Sequence, residues 1–190
     1  MSHARRWRGY LAFAATVVAP AIGYLGYWEG HCYGIRETAF QAFRLREWPY
    51  AARQSDRYLR CNPEDQQVLH VCIESYYEAR NSAQMHSCID RTKLAFPEDP
   101  VADYWRAVLL IEEQQDFVKA LPILKSVESK VETQYPKVNL YLGMALTKSG
   151  DIQAGCANIQ YYLNSPFEGD NHVRRAAAET YRSQCTDTLP

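Results

Sequence analysis

The sequence predicts an all-α protein, a chain of helical hairpins behind one apolar N-terminal segment. Three observations point there. The glycines and prolines fall between periodic segments. No alternating apolar and polar run is long enough for a strand. The breaks are short and carry turn chemistry: "EWPY", "CNPED", "ARNS", "FPEDP", "QQD", "YP", "KSGD" and "SPFEGDN". Breaks of that length make sequential helices antiparallel neighbours.

The chain opens with a basic stretch, residues 1–8, that carries Arg5, Arg6 and Arg8. The next twenty residues, "GYLAFAATVVAPAIGYLGYW" from Gly9 to Trp28, contain no charge. As a helix they would rise about 30 Å, the thickness of a hydrocarbon core. Tyr10 sits at one end and Tyr24, Tyr27 and Trp28 at the other, where amphipathic rings prefer to lie. Residues 9–28 are therefore expected to be a transmembrane anchor with a cytoplasmic N-terminus, and the rest of the chain lies beyond the membrane. The alternative is a cleaved signal peptide, because "APA" at Ala19 to Ala21 has the form of a cleavage site and Pro20 weakens a continuous helix. Both readings export the body. The paired arginines also bear a faint likeness to a twin-arginine signal, whose flanking residues are missing here.

The body, residues 31–190, should hold helices near 33–46, 50–61, 66–79, 83–95, 101–114, 117–131, 137–149, 152–164 and 172–184. The formal charge of the whole chain is −1, and beyond Arg8 it has 18 basic against 22 acidic residues. That balance offers no basic surface for nucleic acid.

Six cysteines, Cys32, Cys61, Cys72, Cys88, Cys156 and Cys185, are an even set in an exported domain and suggest disulfides. Residues facing each other in an antiparallel hairpin lie equally far from its turn. The pairs 32–61, 72–88 and 156–185 are each centred on or beside a break, so they are the expected bridges, worth about 3 kcal/mol each in the chain-entropy model. A rival use exists for "HVCIESYYEARNSAQMHSC". His70, Cys72, His86 and Cys88 could supply four zinc ligands. Residues two apart on a helix diverge by about 200°, which opposes a shared tetrahedral site. No metal and no cofactor are expected.

"RCNPED" and "AFPEDP" are alike, and Pro63 and Pro97 stand one tetratricopeptide period apart. In "YLGMALTKSGDIQAGCANIQYYLNSP", Leu142 and Gly143 match the Leu-Gly pair of that family's first helix. Gly150 and Asp151 match its turn, Ile159 its large second-helix position and Pro166 its stop. Ala39 with Ala51, and Ala107 with Ala120, stand where the family places small residues. The body resembles a tetratricopeptide-repeat protein. The resemblance implies a right-handed superhelical array of about four hairpins plus a capping helix. There are departures: Ile73 and Met85 replace small residues in the second hairpin, the third has one extra residue at its turn, and the early Trp is absent.

No P-loop, dinucleotide fingerprint, nucleophile elbow, zincin or haem motif occurs. No catalytic residue and no small-molecule substrate are therefore expected. The resemblance implies a partner-binding groove lined by the first helix of each hairpin. Its positions would be Tyr33, Arg36, Phe40, Phe43 and Arg44, then His70, Glu74, Tyr77 and Glu78. Tyr104, Val108, Ile111 and Glu112 follow, then Leu140, Met144, Thr147 and Lys148. Phe40, Val108 and Ile111 are expected to pack between repeats, whereas Arg36, Arg44, Tyr77 and Tyr104 are expected to face a partner. The expectation is a non-enzymatic scaffold or assembly factor for a membrane or envelope complex. It would bind protein partners and be fixed to the membrane by its N-terminal helix, with its repeats in an oxidising compartment, the bacterial periplasm first. The alternatives are a soluble exported binding protein and an accessory subunit of a larger membrane complex.

Overall fold

The computed structural model describes residues 30–165 and 171–185. All secondary structure among them is helical. The helices are α1 (30–44), α2 (Trp48–Tyr58), α3 (Gln66–Glu78), α4 (Ser82–Ala95), α5 (Pro100–Glu112), α6 (Phe117–Val131), α7 (Lys137–Lys148), α8 (Ile152–Asn164) and α9 (Asn171–Cys185). The expected anchor, residues 9–28, lies outside the described residues. Among the described residues, no helix is long and apolar enough to cross a membrane.

Two helix starts differ from the sequence reading. The first helix begins at residue 30 rather than 33 and runs through Gly34. The second begins at Trp48, so Pro49 belongs to its first turn instead of the break before it. Proline is well placed there, because the first-turn N–H groups have no helical acceptor to lose. Pro122 lies inside α6, but on its exposed side, where water can satisfy the carbonyl one turn back.

The chain divides into two compact units, one ending at Met85 and one beginning at His86. In the first, α2 packs on α3. Ala51, Ala52, Ser55, Val68, Leu69, Cys72 and Ile73 are all buried there. In the second, α5 packs on α6, α6 on α7, α7 on α8 and α8 on α9, and α5 also meets α7. Leu140, Ile159, Tyr162 and Ala177 form one core cluster, with Met144, Leu163, Val173 and Tyr181 packed against it.

Four turns each hold one residue at positive φ, and three of them share one construction. Arg46, Arg80, Gln115 and Gly150 have φ of 60°, 57°, 54° and 94°. Each follows α1, α3, α5 or α7 and reverses the chain into the next helix. The Arg46, Arg80 and Gly150 N–H groups donate to carbonyls three residues back (Phe43, Tyr77, Thr147), and the N–H groups of the next residues donate to carbonyls five residues back (Ala42, Tyr76, Leu146). This double closure is the Schellman motif, which satisfies the last helical carbonyls. At the third turn, Asp116 N–H reaches Leu110, six residues back. The extra residue foreseen in the sequence is accommodated there.

The helices after the last three turns start on side-chain caps. Asn81 Oδ1 accepts from Gln84 N–H, Asp116 Oδ1 from Lys119 N–H and Asp151 Oδ1 from Ala154 N–H. Between hairpins, Asp65 and Asp99 cap α3 and α5 in the same way. The likeness of "RCNPED" and "AFPEDP" is thus a recurring helix start.

The α7–α8 crossing is backbone-close. A Cβ on Gly143 would stand 2.6 Å from Ile159 Cγ1 and 2.8 Å from the Gly155 carbonyl oxygen. A Cβ on Gly155 would meet Thr147 Oγ1 at 2.2 Å. Ala39, Ala51, Ala107 and Ala120, the small residues named in the other hairpins, are completely buried.

All six cysteines are disulfide-bonded. Cys32 bridges to Cys61 with Cα atoms 6.2 Å apart, and Cys156 to Cys185 with Cα atoms 5.7 Å apart. Cys72 and Cys88 are oxidised as well, so neither offers the thiolate that a zinc site would need.

Gly143→Ala should lower stability by about 1–3 kcal/mol, because backbone and a β-branched side chain must move to admit one methyl. Gln115→Gly should raise it by about 1 kcal/mol by relieving a side chain held at positive φ. Chemical denaturation of the two variants beside the parent chain checks both signs.

Candidate partner-binding face

The expected groove residues fall into three groups, and the first is held in networks. Arg36 Nε donates to Asp65 Oδ2 at 2.8 Å, and its Nη2 donates to Gln67 Oε1 at 2.8 Å. Its guanidinium also lies 4.7 Å from the centre of the Phe40 ring. Asp65 simultaneously caps α3. Arg36 therefore links α1 to the start of α3, a structural job that its sequence position did not reveal. Burial opposes the Asp65 charge most strongly, yet the hydrogen bonds from Arg36, Val68 N–H and Tyr58 together outweigh it and hold the carboxyl below its usual range. Glu112 on α5 accepts from the Tyr141 hydroxyl on α7. Phe43 stands edge-on to Trp48, with centroids 5.4 Å apart.

The second group is core. Tyr104, expected to face a partner, is 1% exposed. It stacks on Tyr135 at 5.1 Å and meets Trp105 and Tyr141 edge-on or tilted at 5.1 and 6.3 Å. This corrects the sequence reading. An aromatic flanked by buried positions on both helical neighbours gains more from ring contacts than from solvent. Val108 and Ile111 are buried as expected, and Leu140 is buried too. Phe40 is half-buried beneath Arg36. Met144 is half-buried against the cluster of Leu140 and Ile159.

The third group remains accessible. Tyr33 is 69% exposed. Arg44 is exposed and pairs with Glu37 at 3.0 Å. Glu78 and Lys148 are exposed, while His70, Glu74, Tyr77 and Thr147 are half-buried. Tyr77, Glu74 and His70 lie on α3 at intervals of three and four, so they share one helical face. Aromatic and charged groups mixed on one face suit recognition of a polypeptide.

Two clefts in the second unit were not foreseen. One, of about 490 Å³, is lined by Glu132, Thr133, Pro136, Asn139, Tyr161, Tyr162 and Ser165. The Tyr161 hydroxyl is hydrogen-bonded to Glu132, and that carboxylate pushes the phenol pKa up. Asn139, a polar residue inside the apolar run of α7, is buried at it. The other is lined by Leu163, Arg174, Arg175, Ala178, Glu179 and Arg182. There Arg174 Nη2 donates to the Leu163 and Ser165 carbonyls at 2.6 and 2.9 Å, closing the C-terminal end of α8.

Asp65→Asn keeps a capping oxygen but loses the charge that holds Arg36, so it should cost about 1 kcal/mol at neutral pH. A carboxyl with a lowered folded-state pKa stabilises fully above the unfolded value, near 3.9, and loses that contribution as the pH falls through the folded value. The difference in melting temperature between parent and variant should therefore be constant from neutral pH to about 4 and shrink below it.

No protein-family model matches the chain, and no curated protein is detectably similar to it.

Proposed function

We propose that this protein is a non-enzymatic, membrane-anchored scaffold. Its tetratricopeptide-like array holds a segment of a partner protein and helps to assemble or stabilise a membrane or envelope complex. The observation that carries the reading is the periodic hairpin turn. Positive-φ residues recur at 46, 80, 115 and 150, steps of 34, 35 and 35. That period, with the glycine crossing of α7 and α8, supports the resemblance drawn from the sequence. Three disulfides place the domain in an oxidising environment, and the bacterial periplasm is the compartment that also suits a short basic leader. The binding face in this reading is the accessible part of the first helices, above all Tyr33, His70, Glu74 and Tyr77.

A second reading rests on "APA" at Ala19 to Ala21: release there would make the same domain a soluble exported binding protein. An accessory subunit of a larger membrane complex would use the same face permanently instead of transiently.

Site-specific photo-crosslinking in native membranes separates these outcomes. A photoreactive residue at Tyr33 or Tyr77 should give one common crosslinked partner, and one at the exposed Val118 of α6 should give none. Equal crosslinking from all three positions, or none from Tyr33 and Tyr77, would overturn the groove. The mass of the crosslinked chain shows whether residues before Ile22 are still attached.

A further inference from the structure

From α2 through Arg60 just beyond it, every exposed charged residue is an arginine, and the one acid, Asp56, is half-buried. Tyr50, Arg53, Arg57 and Arg60 follow one another at intervals of three, four and three, and all four are exposed. Such spacing aligns them on one helical face. Arg60 lies two residues beyond α2, in a turn where its N–H donates to the Arg57 carbonyl. The Arg53 guanidinium sits 5.8 Å from the centre of the Tyr50 ring. Arg57 Nη1 donates to the neutral amide oxygen of Gln54 at 3.2 Å. None of the three arginines is in an ion pair among the described residues. The nearest acid in sequence, Asp56, accepts the Tyr76 hydroxyl on α3.

Covalent structure fixes where this stripe ends. Arg60 adjoins Cys61, which is bonded to Cys32 with Cα atoms 6.2 Å apart. Cys32 is four residues beyond Trp28, the last residue of the uncharged segment. Four residues span at most about 14 Å. The basic stripe is therefore tethered close to the point where the chain leaves that segment.

We propose that this face of α2 docks on an anionic lipid surface, the headgroups of the membrane that holds residues 9–28. The proposal rests on the anchor reading above. A stripe of arginines that form no ion pair among the described residues, beside a tyrosine, suits a uniformly negative interface, where ring and guanidinium settle at headgroup depth. A protein partner would more commonly meet a face of mixed sign.

The test uses the full chain reconstituted in discs of phosphatidylcholine or of phosphatidylglycerol. Phenylglyoxal modification of Arg53, Arg57 and Arg60 is followed by peptide mass spectrometry, with the exposed Arg106 of α5 as reference. The three rates should fall roughly five-fold in phosphatidylglycerol. They should recover at high salt, and Arg106 should not change. Equal rates in both lipids would overturn the proposal. Protection in native membranes but not in phosphatidylglycerol discs would mean that an acidic protein covers the face, which also overturns it.

The substitutions Arg53→Gln, Arg57→Gln and Arg60→Gln together should leave the melting temperature unchanged and abolish lipid-dependent protection of Tyr50 from nitration. Protection that persists in this variant counts against the arginines. If the chain fails to enter discs at all, the anchor reading has failed separately. Flotation of that soluble chain with phosphatidylglycerol but not phosphatidylcholine vesicles would then sustain the docking face, and no flotation with either would end it.

Discussion

Helical hairpins need a way to reverse direction without leaving carbonyls unsatisfied, and here a single residue at positive φ supplies it. Arg46, Arg80, Gln115 and Gly150 each end one helix and aim the next back along it. Three of the four are not glycine, so the conformation is maintained against a steric cost of about 1–2 kcal/mol each. The double carbonyl closure at Arg46 and Arg80, and the Asn81 and Asp116 caps that follow Arg80 and Gln115, offset that cost locally. Once the turn is set, the register of the two helices is set, and with it every side chain that meets across them.

The cysteines depend on that register. Arg46, at positive φ, lies beside the midpoint of Cys32 and Cys61. A one-residue slip in that turn would rotate one sulfur relative to the other by about 100°. The bridges in turn matter because, among the described residues of the second unit, each helix packs chiefly on its neighbours in sequence. Disulfides, the close α7–α8 crossing and the caps add stability to such a chain.

Much of this was legible in residue order. The breaks that carry Pro, Gly, Asn and Asp located nearly every helix end to within a few residues, because those residues act through local backbone chemistry. "EWPY" was misplaced because proline is ambiguous: it ends one helix as readily as it begins another, and here it sits in the first turn of α2. The extra residue of the third turn was visible as a break in the period, and it surfaced as the longer Asp116 to Leu110 closure. The candidate face was less legible. A helical position says which side a residue lies on but not what covers it. Tyr104 was read as accessible and is enclosed by Trp105, Tyr135 and Tyr141, two of which are thirty or more residues away. Arg36 was read as a recognition residue and is shared between Asp65, Gln67 and Phe40.

The sequence by itself determined the helical class, the hairpin order and the cysteine partners. Each follows from short-range rules: the 3.6-residue period, the φ preferences of turn residues and the symmetry of an antiparallel pair. Tertiary structure alone decided which aromatics became core, which arginines were neutralised and which stayed bare. Those outcomes depend on contacts between helices far apart in the chain, where burial and pairing compete residue by residue. The α2 arginines illustrate the difference. Their spacing is written in "RQSDRYLR", but that Asp56 is engaged by Tyr76, and that none of the three forms an ion pair among the described residues, became visible only when α3 was in place.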